Sequence, residues 1–201
     1  MKKQLLLFVF TIVLCINAYA QENEELYILE ADSTWLKEII KFPFGFAPEI
    51  NLKGYEDLRF AKDWSKPEGQ EFFTYAFAWN TNLTEAPTVH MLETNMRLYY
   101  DGLMTAVNKD KGFTIPRSTI LFVKSDENNE EPRFVGEMKV YDSFFTKKTI
   151  TLHVKVDTFY CEAQKRYLVF FKVSSKAFEH SIWNKLKTVK LNLEACEISS
   201  F

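Results

Sequence analysis

The chain is short of glycine, histidine and cysteine, with six, three and three among 201 residues, and each shortage closes off a class of chemistry. The scattered glycines form no Gly-rich loop to cradle a phosphate and no Gly-x-Ser-x-Gly turn to present a nucleophilic serine. His90, His153 and His180 stand apart, with no His-x-His or His-x-x-x-His spacing, so neither a metal nor a cofactor is expected. Cys15, Cys161 and Cys196 include no Cys-x-x-Cys pair, which argues against thiol redox chemistry. Arginine clusters and basic stripes are missing and the net charge is −2, so nucleic acid is not an expected partner. Long apolar runs are missing too. The longest, Leu5 to Ile16, has twelve residues, short of the roughly 20 that span a bilayer, so no transmembrane anchor is expected.

That apolar run instead has the context of a secretory signal. Lys2 and Lys3 precede it, and Ala18-Tyr19-Ala20 follows as a small-x-small cleavage site, so residues 1–20 read as a signal peptide and the mature chain begins near Gln21. Lipidation at Cys15 is disfavoured because Leu14 before it is not small. The expected location is periplasmic or extracellular. Removing residues 1–20 leaves 181, and because that stretch holds two lysines and no acid, the net charge falls from −2 to −4.

Residues 21–201 have the size of a single domain. Aromatic residues make up 16% of the chain, and since each ring buries about 150 to 250 Å², a large core needs neither metal nor several disulfides. Cys161 and Cys196 can close one disulfide in an oxidising compartment; the alternative is two small buried thiols.

The pattern along the chain is mixed. Asp32 or Ser33 would cap a short helix carrying Trp35, Leu36, Ile39 and Ile40, which ends before Pro43. Phe42 to Pro48 places three phenylalanines between two prolines and Gly45, a rigid aromatic loop. A weak strand is expected around Leu58 to Ala61. From Glu71 to Trp79 an aromatic face of Phe73, Tyr75, Phe77 and Trp79 alternates with smaller residues, the mark of a buried strand. Thr84 and Pro87 open the longest helix, which runs to about Val107 with apolar residues every three or four positions. Strands follow at 118–124, 134–141, 149–158 and 166–174, with an acidic loop at 126–132, a short helix around 177–186 and a strand-like run at 189–198.

These elements predict an α+β fold: an antiparallel meander packed around one long helix, with an N-terminal helix and an aromatic loop. The order of elements resembles the cystatin-like and nuclear-transport-factor-like folds and the Mog1/PsbP-like folds. The inhibitory Gln-x-Val-x-Gly loop is missing, so no cystatin-type inhibition is implied. The run from Trp35 through Phe42-Pro43-Phe44-Gly45-Phe46-Ala47-Pro48 and Gly54 to Phe60, with Trp64 and Phe73 to Trp79, is similar to a group of exported bacterial proteins of uncharacterised function. It covers about the first third of the mature chain and implies no activity.

Two groups of residues invite a functional reading. Glu56 and Arg59 beside the aromatic loop would recognise a ligand through paired hydrogen bonds, or Arg59 would simply tie the loop down. Phe73, Tyr75, Phe77 and Trp79, with Trp64, would line an apolar pocket, or pack against the long helix. The expected role is non-catalytic: binding a small hydrophobic or amphipathic ligand, or serving as an interaction module for an envelope protein. The alternatives are a secreted hydrolase using dispersed carboxylates, or a structural envelope protein.

Overall fold

A computed structural model describes residues 27–109, 112, 114–125 and 133–196. The expected signal peptide at 1–20, the acidic loop at 126–132 and the end of the last strand-like run lie outside the described residues. The described elements are β1 (Leu29–Glu30), β2 (Leu36–Phe42), β3 (Gly54–Phe60), β4 (Tyr75–Thr81), α1 (Val89–Asn108), β5 (Thr119–Lys124), β6 (Phe134–Asp142), β7 (Lys148–Cys161), β8 (Arg166–Ser174), α2 (Ile182–Leu186), β9 (Lys190–Leu191) and a 3₁₀ turn at Leu193–Cys196. Seven strands form one antiparallel sheet in the order β2-β3-β4-β8-β7-β6-β5, while β1 and β9 form a small ribbon. The fold is α+β. Among the described residues no helix is long and apolar enough to cross a membrane.

The period-two side-chain rule divides the sheet into two faces. The inner face carries Leu58, Tyr75, Phe77, Trp79, Met138, Leu152, Val154, Val156, Val169 and Phe171, packed beneath Leu92, Met96, Tyr99 and Tyr100 of α1. The outer face carries Tyr55, Ala76, Ala78, Leu168 and Phe170, covered by Ile28, Leu29, Trp35 and the C-terminal segment with Ile182, Trp183 and Leu186. Cys161 and Cys196 are joined in a disulfide that pins the 3₁₀ turn to the end of β7. The sheet is thus covered on both sides around its centre, which explains why β4 is buried at every position.

The expected N-terminal helix is instead β2. Ile39 and Ile40 gave helical spacing, but in the strand they serve opposite faces, Ile40 in the inner core and Ile39 in the outer one. Two adjacent β-branched residues suit an extended strand, and both are half-buried at this edge of the sheet. Asp32 holds a turn rather than a helix: Thr34 N donates to its Oδ1 at 2.8 Å. The helix cap also moves. Thr88, not Thr84, caps α1, with Met91 N donating to its Oγ1 at 3.1 Å. Pro87 precedes that cap and so lies outside the helix. The strand expected from Glu71 begins at Tyr75, because Phe73 takes a positive φ of 47° in the preceding turn. Among the described residues the last run is strand only at Lys190–Leu191.

The aromatic loop lies over the inner core, as its composition suggests. Phe44 is fully buried and stacks on Phe46 with centroids 5.1 Å apart, and both rings meet Tyr99 edge-on at 5.3 and 5.1 Å. Gly102 permits this approach, since a Cβ there would overlap the Phe46 carbonyl.

Helix α1 also guards the free edge of β5. Phe122 N donates to Glu93 Oε1 at 3.0 Å and Ser118 N to Asp101 Oδ1 at 2.8 Å. Two outward amides near the edge are therefore satisfied by carboxylates on one helix row, which blunts the edge against pairing with another strand.

Candidate functional site

Strand β3 brings three ionisable residues in succession to full burial: Glu56, Asp57 and Arg59 flank Leu58, all with negligible exposure. Alternation sends them to different faces. Glu56 enters the inner core, where Trp79 Nε1 donates to its Oε2 at 2.7 Å and Tyr99 OH to its Oε1 at 3.0 Å. Burial pushes its carboxyl up from an ordinary 4.5 to about 8; the Trp79 and Tyr99 hydrogen bonds oppose that rise and Glu38 and Asp57 add to it. The neighbouring Tyr75 and Tyr100 hydroxyls bond to each other, and burial raises Tyr75, Tyr99 and Tyr100 above the usual phenol value. Glu56 has no exposure, and Tyr75, Tyr99 and Tyr100 around it are all buried.

Asp57 and Arg59 meet on the outer face in a buried ion pair. Asp57 Oδ2 also accepts from Ile28 N and Leu29 N at 2.7 and 2.8 Å, and Arg59 donates to the Leu29 and Leu58 carbonyls. Burial drives the Asp57 carboxyl up, against the pull of the Arg59 guanidinium and the two amides. The Tyr27 ring covers Arg59 at 5.0 Å. The arginine ties down the N-terminal segment at 28–30 rather than the aromatic loop.

The expected ligand residues therefore form no common site. Glu56 and Arg59 lie on opposite faces, so no ligand can pair with both. Phe73, Tyr75, Phe77 and Trp79 are buried, and Phe77 stacks on Phe171 at 4.4 Å. Trp64, half-buried, packs on Phe60 at 4.6 Å and Phe145 at 5.2 Å. The aromatic face is filled by the protein itself.

One cross-strand row resembles a hydrolase in composition. Glu137, His153 and Ser174 are register neighbours on β6, β7 and β8. Ser174 is fully buried, shares a hydrogen bond with Thr74 at 2.9 Å and accepts from Lys176 N at 3.1 Å. The His153 ring lies edge-on to Phe178. A serine nucleophile needs a hydrogen bond to its base and access to a substrate, and this serine has neither. Glu71 is likewise committed, accepting from Lys185 Nζ and Asp63 N. Among the described residues no group of three His, Cys, Asp or Glu could hold a metal.

Open space lies elsewhere. The last inner-face residues of β7 and the first of β8 border open space beside the start of α1. Thr158, Tyr160 and Tyr167, with Phe134, Pro87, Val89, Lys124 and Arg133, line a cleft of about 500 Å³. The Tyr160 and Tyr167 rings are cross-strand neighbours with centroids 4.9 Å apart, and Tyr160 is 42% exposed. A second cleft of about 390 Å³ lies between α1 and residues 115–117. Neither tyrosine is named as a candidate from the sequence, although two tyrosines one residue inside the strands on either side of a four-residue turn should face each other.

No protein-family model, no curated protein and no solved structure matches this chain.

Proposed function

We propose that this is an exported, non-catalytic protein that binds a small amphipathic ligand, and that the ligand occupies the cleft at Tyr160 and Tyr167. The observation carrying this reading is the place where the aromatic inner face meets open space beside the start of α1: two tyrosines, Pro87 and Phe134 border about 500 Å³. That volume falls within the roughly 300 to 1,000 Å³ of small-molecule sites, and tyrosine offers an apolar ring with a polar tip. The buried carboxylates support a non-catalytic reading, because Glu56 and Asp57 are fully buried and bonded to their own partners.

Native mass spectrometry of the mature chain, purified from the exported fraction, tests this. A small molecule released on denaturation is expected, with its retention weakened about tenfold or more in Tyr160→Ala, as for an aromatic anchor. Equal retention by that variant would remove the cleft from consideration. A chain that carries nothing and takes up no member of a panel of amphipathic compounds would sink the binding reading altogether.

A further inference from the structure

Arginine is scarce in this chain, with five residues against twenty lysines. Arg59 and Arg166 are buried and spend their guanidinium groups on Asp57 and Leu29, and on Thr81 and Gln164. Arg133 is also engaged. The remaining two, Arg97 and Arg117, come together from distant parts of the sequence to line the 390 Å³ cleft beside α1. Among the described residues neither guanidinium has a hydrogen bond or an ion pair.

The absence of a partner for Arg97 has a definite structural cause. It lies four residues from both Glu93 and Asp101, the spacing at which charges pair along a helix. Those two carboxylates instead accept the Phe122 and Ser118 amides at the β5 edge. With both carboxylates held at the edge, Arg97 forms an ion pair with neither. Asp101 also lines the cleft, so two guanidinium groups face one carboxylate and a net positive charge remains there, on a chain whose overall charge is −2. The rest of the lining is Leu98, Thr105, Ile115 and Pro116.

We propose that this cleft binds the oxyanion of a small amphipathic molecule, with Arg97 and Arg117 holding a carboxylate or phosphate and Leu98, Ile115 and Pro116 receiving its apolar body. A planar guanidinium matches such oxygens through two parallel N–H donors, which a lysine cannot do. The volume suits a small molecule rather than a long chain. The site is separate from the tyrosine cleft, and its test does not depend on that one.

The test is titration of the full mature chain with octanoate, octyl phosphate and neutral octanol, followed by amide chemical shifts and calorimetry. The two octyl anions should move the Ser118 and Arg117 amides with a dissociation constant of about 1 mM or tighter, weakening as salt is added. Tighter binding of one names the head group as carboxylate or phosphate. Arg97→Gln and Arg117→Gln should each weaken binding about tenfold, with lysine at either position restoring only part of it. Both side chains are exposed, so these variants keep the fold, which their unchanged spectra elsewhere would verify. No shift up to about 10 mM, equal binding of octanol, or indifference to both substitutions would overturn the proposal.

Discussion

Replacing Glu56 with glutamine gives the sharpest test of how the inner core is held together. In the native state the carboxyl titrates at about 8, against 4.5 ordinarily. Between those values the folded chain keeps a proton that the unfolded chain releases. Stability from this group is therefore complete below about pH 4.5, falls as pH rises and levels off above about pH 8. Each pH unit in that window costs about 1.4 kcal/mol, so the loss is about 3 kcal/mol by pH 7 and about 5 kcal/mol over the whole range. Glutamine has the shape of the protonated acid. Its carbonyl can accept from Trp79 Nε1, and its amide can donate to Tyr99 OH, the hydroxyl turning round to receive it. Glu56→Gln should match the wild type near pH 5 and exceed it by about 3 kcal/mol at pH 7. Urea unfolding from pH 5 to 9, followed by tryptophan fluorescence, measures both curves. A difference that stays flat across this range would refute the reasoning, as would a glutamine variant less stable at pH 7. Glu56→Ala separates charge from hydrogen bonding: it strands the Trp79 and Tyr99 donors in the core and should cost about 2 to 4 kcal/mol even at pH 5.

Other perturbations probe the remaining supports. Arg59→Met leaves Asp57 buried without its counter-charge and should cost about 3 to 5 kcal/mol, whereas adding Asp57→Leu should restore much of it, as a double-mutant cycle in urea would show. Reducing the disulfide, or Cys161→Ser with Cys196→Ser, frees a loop of 35 residues and should remove about 3 to 4 kcal/mol by the chain-entropy account, read as a lower midpoint in urea. Gly102→Ala forces a methyl group onto the Phe46 carbonyl and should cost about 1 to 3 kcal/mol despite alanine's better helix propensity; a gain in melting temperature would contradict the close approach. Thr88→Ala removes the α1 cap and should cost about 1 kcal/mol in the same assay, while Thr84→Ala should cost almost nothing.

How far the sequence could be read depended on whether each segment's pattern was set locally. The sequence places a strand at 166–174, which is β8 as found, and the strand it places at 149–158 lies within β7. Strand β2 was misread because Ile39 and Ile40 face two different cores, a fact that only tertiary structure supplies. The candidate site failed for a related reason. With the strand placed at Leu58 to Ala61, Glu56 fell in a loop where it could join Arg59. Extending the strand back to Gly54 puts residues three apart on opposite faces. The Arg97 and Arg117 cleft had no sequence signal at all, since it exists only where the chain before β5 returns to α1.

The composition of β3 gives these observations a common cause. A strand covered on both faces has nowhere to expose a charge, yet this one carries Glu56, Asp57 and Arg59 with negligible exposure. Each face neutralises its charge by the means at hand. The outer face pairs Asp57 with Arg59, two residues apart and hence side by side. The inner face has no cation within hydrogen-bonding reach of Glu56, whose partners are the neutral donors Trp79 and Tyr99. Protonation is the remaining route, and the rise to about 8 takes it at neutral pH. The three residues then carry no net charge into the interior, and both acids hold neighbouring structure in place: Asp57 the segment at 28–30, Glu56 the join between β4 and α1. What resembles a ligand-recognition pair in the linear sequence is the means by which a double-sided strand keeps polar groups buried, so a search for ligands belongs at the Tyr160 and Tyr167 cleft and beside α1.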